Sequence, residues 1–303
     1  MFLLLHGFPS SSRMFQPLLS RLSGAFHLVA PDYSGFGHSD APDAKAFSYT
    51  FDHIALVIDH FTEALGLENY SLYLQDYGGP VGFRLAMAHP DRVQALIIQN
   101  AVVHEDGLGP LWETRRAFWA DRAAHEAALR ENFLSLAATR QRHVGLNPNI
   151  ETLDPDRWSD EFASLNRPGQ ADIQTDLFYD YRTNVARYPE WQAWLREHRP
   201  PTLIVWAKYD PSFQWLKPKP IGARCAMPRS TPSMRVTSHS TTSQTKSLPC
   251  VGPSSIVFSA VWRLSRHALS AVSTRPRSRA AADAPAGSRA GRRRRRYAKQ
   301  ACA

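Results

Sequence analysis

Leu74-Gln75-Asp76-Tyr77-Gly78-Gly79 decides how the rest of the chain is read. Ser71–Leu74 before it is short and mostly apolar, as a strand buried on both faces is, and a helical stretch runs from about Pro80 to His89-Pro90. A strand, a sharp turn and a helix in that order carry the apex of the turn to the C-terminal edge of a parallel sheet. Such a bend is crowded, which accounts for Gly78 and Gly79 close behind the apex. With serine there the pattern would be a G-x-S-x-G elbow; here the apex is Asp76. A carboxylate is unsuited to acyl transfer, but it can attack an sp³ carbon and form an alkyl ester that water then hydrolyses. Aspartate also caps helices well, so the hexapeptide alone leaves both readings open.

The flanking segments supply the rest of a sheet. Phe2–Leu5 is all apolar and meets the turn His6-Gly7-Phe8-Pro9; His27–Ala30 ends at Pro31-Asp32-Tyr33-Ser34-Gly35-Phe36-Gly37. Phe51, Ile54, Ala55, Ile58, Phe61 and Leu65 recur at helical spacing, with Gly66 as the stop. Ala95–Gln99 and Pro201–Trp206 are further strands. Strands alternating with helices predict an α/β fold with a mostly parallel sheet and right-handed crossovers. Glu105–His198 interrupts the alternation. It is rich in Ala, Leu, Arg, Glu and Trp, with breaks expected at Asn147-Pro148, Arg167-Pro168-Gly169 and Tyr188-Pro189. The expected organisation is core sheet over 1–104, a helical cap over 105–198, the sheet resumed over 199–214, and an unpatterned tail, irregular or disordered, over 215–303.

Two more turns bear on the chemistry. HGFP follows a strand and would present the backbone N–H of Phe8 toward the apex; with the N–H of Tyr77 it would form an oxyanion hole. Asp210, after the last strand, stands where an acid orients a histidine base. Each is an ordinary turn when taken singly. Together HGFP, PDYSGFGHSD (Pro31–Asp40), LQDYGGPVGFRLA (Leu74–Ala86), AHPDRV (Ala88–Val93) and PTLIVWAKYDP resemble the α/β-hydrolase superfamily, in its epoxide hydrolase and haloalkane dehalogenase branch. The resemblance covers about Met1 to Phe213.

It implies an α/β-hydrolase fold, Asp76 as nucleophile, Asp210 as relay acid, no cofactor, no metal and a small-molecule substrate. Members acting on epoxides use cap tyrosines to protonate the opening ring. Tyr181 in Tyr179-Asp180-Tyr181-Arg182-Thr183-Asn184 resembles one of these; the second has no match, and Trp158 stands in its neighbourhood. Members acting on carbon–halogen bonds usually have tryptophan after the nucleophile, where this chain has Tyr77, whereas Gln75 leans toward the dehalogenases. Epoxide hydrolysis is the first reading and dehalogenation the alternative.

The remaining sequence qualifies that picture. The chain carries 36 basic and 27 acidic residues, a net +9. Trp215–Ala303 holds 18 Lys and Arg and one acid, Asp283, leaving 18 basic and 26 acidic residues before it, so the body is −8 and the tail +17. Cys225, Cys250 and Cys302 all lie in the tail, so the body has no thiol chemistry. No apolar run approaches the roughly 18–20 residues of a membrane span. A cytoplasmic protein is expected, with no membrane partner and oligomeric state open. The run Arg292–Arg296 supports only salt-sensitive, nonspecific contact with nucleic acid.

The mechanism also needs a histidine after Asp210 in a Gly-His setting. None is found: His239 and His267 have other contexts. Regrouping permissible codons for Met234–Cys250 by one base reads a Gly-His-Phe turn followed by an amphipathic helix. This points to a reading frame lost between Asp210 and Trp215, and makes an inactive truncated or frame-shifted remnant a further alternative. The family's opening β-hairpin is also missing ahead of Phe2–Leu5, so Met1 is expected to be an internal start.

Overall fold

Among the described residues five short strands form one sheet: β1 (Phe2–Leu5), β2 (Leu28–Val29), β3 (Tyr70–Gln75), β4 (Val93–Gln99) and β5 (Thr202–Val205). Their order is β2-β1-β3-β4-β5, and every pairing is parallel. The structure, a computed structural model, describes residues 1–145, 147–207, 210, 212 and 213. The segment 215–303, with its three cysteines, His239 and His267, lies outside the described residues.

β1 is buried at every position and β3 at all but its last, which is why both read as apolar runs rather than as alternating strands. Alternate residues still serve different faces. Phe2, Leu4, Tyr73 and Ile97 pack with Phe15, Leu18 and Leu22 around α1 (Gln16–Leu22). Leu3, Leu5, Leu72 and Leu74 pack on the opposite side with Phe51, Ile54 and Ile58. The pairing Leu5↔Leu74 brings the turns after β1 and β3 out side by side. The pairing Gln99↔Val205 does the same for β4 and β5. Sheet register alone thus gathers four loops at one edge.

Helix α2 (Phe51–Ala64) starts where the Thr50 hydroxyl accepts from the His53 N–H at 3.1 Å, a cap worth about 1 kcal/mol. It ends before Gly66, whose φ of 63° suits glycine. Helix α3 (Gly78–Ala88) begins two residues earlier than expected. Its first turn is already formed at the elbow, where the Gly79 N–H reaches the Asp76 carbonyl at 2.9 Å. A Cβ on Gly78 would lie 2.1 Å from the Leu5 carbonyl oxygen, so close helix–strand packing outweighs poor helix propensity here.

Between β4 and β5 run α4 (Trp112–Ala120), α5 (Arg122–Leu134), α6 (Leu136–Val144), α7 (Asp156–Leu165) and α8 (Gln170–His198). The breaks at Asn147-Pro148 and Arg167-Pro168-Gly169 fall between helices, but the expected break at Tyr188-Pro189 does not: α8 continues through Pro189. An interior proline costs about 3 kcal/mol. Tyr188, Trp191 and Trp194 are buried beside it, and aromatic burial of about 1.5–3 kcal/mol per side chain offsets that cost. Arg84 of α3 fastens α8 to the sheet layer, reaching Asp52 at 2.6 Å and Asn184 at 2.7 Å. No described helix is long and apolar enough to cross a membrane.

Candidate active site

Asp76 has a φ of 46°, the left-handed region that few non-glycine residues enter and that aspartate tolerates best among them. This bend turns its side chain away from the helix that follows. Helix α3 has Tyr77 at its N-cap and no side-chain cap bond. The Asp76 carboxylate instead accepts, through Oδ2, the backbone N–H of Phe8 at 2.9 Å. Gly7 makes this approach possible: a Cβ there would lie 2.2 Å from Gln75 Oε1 and 2.5 Å from Asp76 Cβ.

His6 holds the turn from behind. Its ring stacks on Tyr33 at 4.1 Å, its Nδ1 lies 3.1 Å from the Gly7 carbonyl, and its Nε2 accepts from the Tyr33 N–H at 3.4 Å. Burial lowers its pKa to about 4. It is a neutral structural histidine that places Gly7 and Phe8.

Burial pushes the Asp76 carboxyl up to about 7, against the opposing pull of the Phe8 N–H and of Arg115; Asp210 raises it further, and the Tyr77 N–H lowers it. The residue nonetheless keeps some accessible surface. Both observations suit a carboxylate on the floor of a recess, enclosed by protein yet reachable by a small molecule.

Asp210 follows β5. Its Oδ1 accepts the N–H groups of Ser212 (2.7 Å) and Phe213 (2.9 Å), an Asp-headed turn, while its Oδ2 accepts from Asn100 Nδ2. Asn100, at φ 47° after β4, also accepts from the Ala207 N–H at 3.0 Å. It therefore pins the loop that bears Asp210, a role not visible in the sequence.

Tyr181, on α8, is buried and reaches the elbow: its ring lies 5.9 Å from that of Tyr77, 5.5 Å from Phe51 and 4.6 Å from Trp112. Burial raises its pKa well above the ordinary tyrosine value, and Tyr188 and Asp76 add to this. The second aromatic hydroxyl near Asp76 on this helix is Tyr188, seven residues on and so on the same face. Its hydroxyl interacts with that of Tyr181 without a well-formed hydrogen bond. Trp158 is not part of this cluster; it lies beside His143 and beneath Arg140. The i, i+7 spacing of Tyr181 and Tyr188 was the available signal for the pair.

The match to known proteins follows this geometry. Residues 1–228 match the family model described as alpha/beta hydrolase fold. The chain belongs to that family. An uncharacterised hydrolase of Saccharomyces cerevisiae is 38% identical over 216 residues, 70% of this chain and 73% of that protein. Haloalkane dehalogenase 2 of Mycobacterium tuberculosis is 40% identical over 98 residues, 32% of this chain and 34% of that protein, so the chain spans about a third of that relative. Among solved structures, the haloalkane dehalogenase DatA from Agrobacterium tumefaciens is 27% identical with a TM-score of 0.54, covering 67% of this chain and 70% of that one. The epoxide hydrolase CorEH, 16% identical with a TM-score of 0.53 over 69% and 75% of the two chains, shares the fold.

In this α/β hydrolase two arginines from the inserted helices face the elbow, and neither was singled out by the sequence. Arg115 of α4 is buried with its Cζ 4.2 Å from the Trp112 ring centroid and 4.6 Å from that of Phe133. Arg142 of α6 lies 4.8 Å from the Phe8 ring centroid. Elsewhere in the hydrolase Asp59, Glu63 and His89 come within 4.8 Å of one another. Arg92 neutralises that group, at 3.6 Å from Asp59 and 3.4 Å from Glu63, so the trio is accounted for by ion pairing.

Proposed function

We propose that the chain is built for hydrolysis through an aspartyl ester, with epoxides as the first substrate class. The observation that carries this reading is the hydrogen bond from the Phe8 N–H to Asp76 Oδ2. It occupies one carboxylate oxygen and leaves Oδ1 to attack. Attack on an epoxide carbon forms the C–Oδ1 bond, breaks the ring C–O bond and develops negative charge on the ring oxygen. Tyr181, kept protonated by burial, gives that oxygen its proton, and Tyr188 lies close enough to support it. The ester carbonyl oxygen is then Oδ2, already seated on the donor that stabilises the tetrahedral intermediate of the second step.

In that second step water attacks the ester carbonyl carbon and restores the Asp76 carboxylate. It requires a general base held by Asp210. The electrostatic coupling of Asp210 to Asp76 supports that role, while His239 and His267 lie outside the described residues. We propose that the chain carries out the first step and stalls at the ester.

The dehalogenase alternative shares Asp76 and differs in the leaving group. The tyrosine pair favours the epoxide, because an alkoxide needs a proton and a halide does not. Incubation of the full chain with an epoxide, followed by mass spectrometry of peptides containing Asp76, tests the reading. One stoichiometric adduct, absent in Asp76→Asn, is expected; multiple turnovers would show that the base is present, and absence of any adduct would remove the aspartyl-ester reading.

A further inference from the structure

The two buried arginines of the sheet–insertion interface differ in how they are satisfied. Arg84 is buried and fully engaged: Nε binds Asp52, and Nη1 binds the Pro80 carbonyl and Asn184. Arg115 is equally buried, yet its Nε and Nη1 have no hydrogen-bond partner among the described residues. A buried guanidinium without hydrogen bonds is strongly unfavourable, and a bound anion would complete it.

Its surroundings say where that completion occurs. The guanidinium is packed among the rings of Trp112, Phe133 and Phe178. Phe178 in turn lies 4.8 Å from Phe8, the residue that donates to the nucleophile. Burial lowers the affinity of Arg115 for its proton, while the carboxylates of Asp76 and Asp210 support its charge; the buried phenols of Tyr77 and Tyr181 stay neutral. Arg142 packs over the Phe8 ring. It binds the Phe133 carbonyl and Thr139 through Nη1 and Nη2 at 2.8 Å each, and its buried Nε has no partner.

The reaction itself supplies the decisive argument. While Asp76 is ionised it offsets part of this positive charge. Alkylation turns the carboxylate into a neutral ester, and both arginines then lose an anion that supports their charge. A substrate bearing its own permanent negative charge avoids that loss.

We infer that the substrate carries a carboxylate near its reacting carbon and that Arg115, flanked by Arg142, is the side chain that binds it. A planar guanidinium with free N–H donors in an aromatic wall is suited to carboxylate recognition. This deepens the aspartyl-ester reading and rests on it for the identity of the reacting molecule.

The test separates the two. Binding of cyclopropanecarboxylate and of its neutral isostere cyclopropanecarboxamide, both unreactive, is measured by calorimetry on full-length Asp76→Asn. The carboxylate is expected to bind more tightly than the amide, and the added change Arg115→Gln to weaken it by roughly tenfold or more. Arg115→Lys, which keeps the charge, is expected to retain part of the preference and guards against loss of fold in the glutamine variant, checked by its melt. In the wild-type chain oxirane-2-carboxylate is expected to label Asp76 faster than oxirane-2-carboxamide. Equal binding of carboxylate and amide, or binding indifferent to Arg115→Gln in a folded variant, overturns the inference. So does chloride binding without carboxylate binding, which would assign Arg115 to the leaving group. If the carboxylate binds through Arg115 and neither oxirane labels Asp76, the anion site stands and the nucleophile reading fails.

Discussion

The Phe8 N–H and the Asp76 carboxylate lie 68 residues apart in the chain and 2.9 Å apart in space. Two adjacent parallel strands produce this meeting, because Leu5 pairs with Leu74 and both chains turn at the same edge. Oδ2 is held by this donor. That contact has measurable consequences.

Adduct formation should rise with pH. In the proposed mechanism only ionised Asp76 attacks, and burial pushes its pKa up to about 7. Labelling by an epoxide is expected to be roughly a hundredfold slower at pH 5 than at pH 8 and to level off above pH 8. A rate independent of pH across that window, read by quenched mass spectrometry, would contradict the assignment.

Stability should move the other way. The folded-state pKa of Asp76 lies above its ordinary value of 3.8, so between the two the folded chain binds more protons than the unfolded one. Its contribution is present below pH 3.8 and is lost as pH rises through about 7. Asp76→Asn keeps an acceptor for the Phe8 N–H and removes the buried charge. It is expected to be more stable than wild type by about 1–2 kcal/mol at pH 8 and nearly neutral at pH 4, by thermal melts at both pH values.

Tyr181→Phe separates the two leaving groups. Without the phenol, epoxide labelling of Asp76 should fall by about a hundredfold, while labelling by an alkyl halide, whose departure needs no proton, should persist. Parallel loss of both would reduce Tyr181 to a packing residue.

Gly78→Ala tests the elbow as a steric device. The added methyl would lie 2.1 Å from the backbone oxygen of Leu5, and a strand carbonyl cannot rotate aside. A loss of about 2–3 kcal/mol in denaturant unfolding is expected. Gly24→Ala, where nothing lies within 4 Å, serves as the control.

The sheet was legible because its strands are buried on both faces, and a short apolar run between turn residues has few other homes. Asp76, Phe8 and Asp210 stood out because each lies in the turn or loop that follows such a strand. Asn100 occupies the same kind of position after β4 but lacked a turn signature, and only the spatial pairing of β4 with β5 shows what it holds. Arg115 and Arg142 were invisible for a different reason. Each lies on a polar-looking helix of the insertion, and which face meets the sheet edge depends on packing between distant segments. Pro189 misled because its local cost is real, while the buried aromatics that offset it are contributed by the whole interface.

The inserted helices leave the sheet after β4 and rejoin it at β5, which are neighbours in register, Ile97 beside Leu203. Entry and exit therefore share one doorway, and the turn that carries Asp76 and the Phe8 N–H that meets it both come from the sheet, while Tyr181 and Arg115 come from the insertion. The proposed nucleophile is accordingly encoded apart from the groups proposed to assist and select the leaving group. Grafting residues 105–198 from another family member should exchange both the preferred substrate and the assistance to its departure, while the aspartate below stays in place.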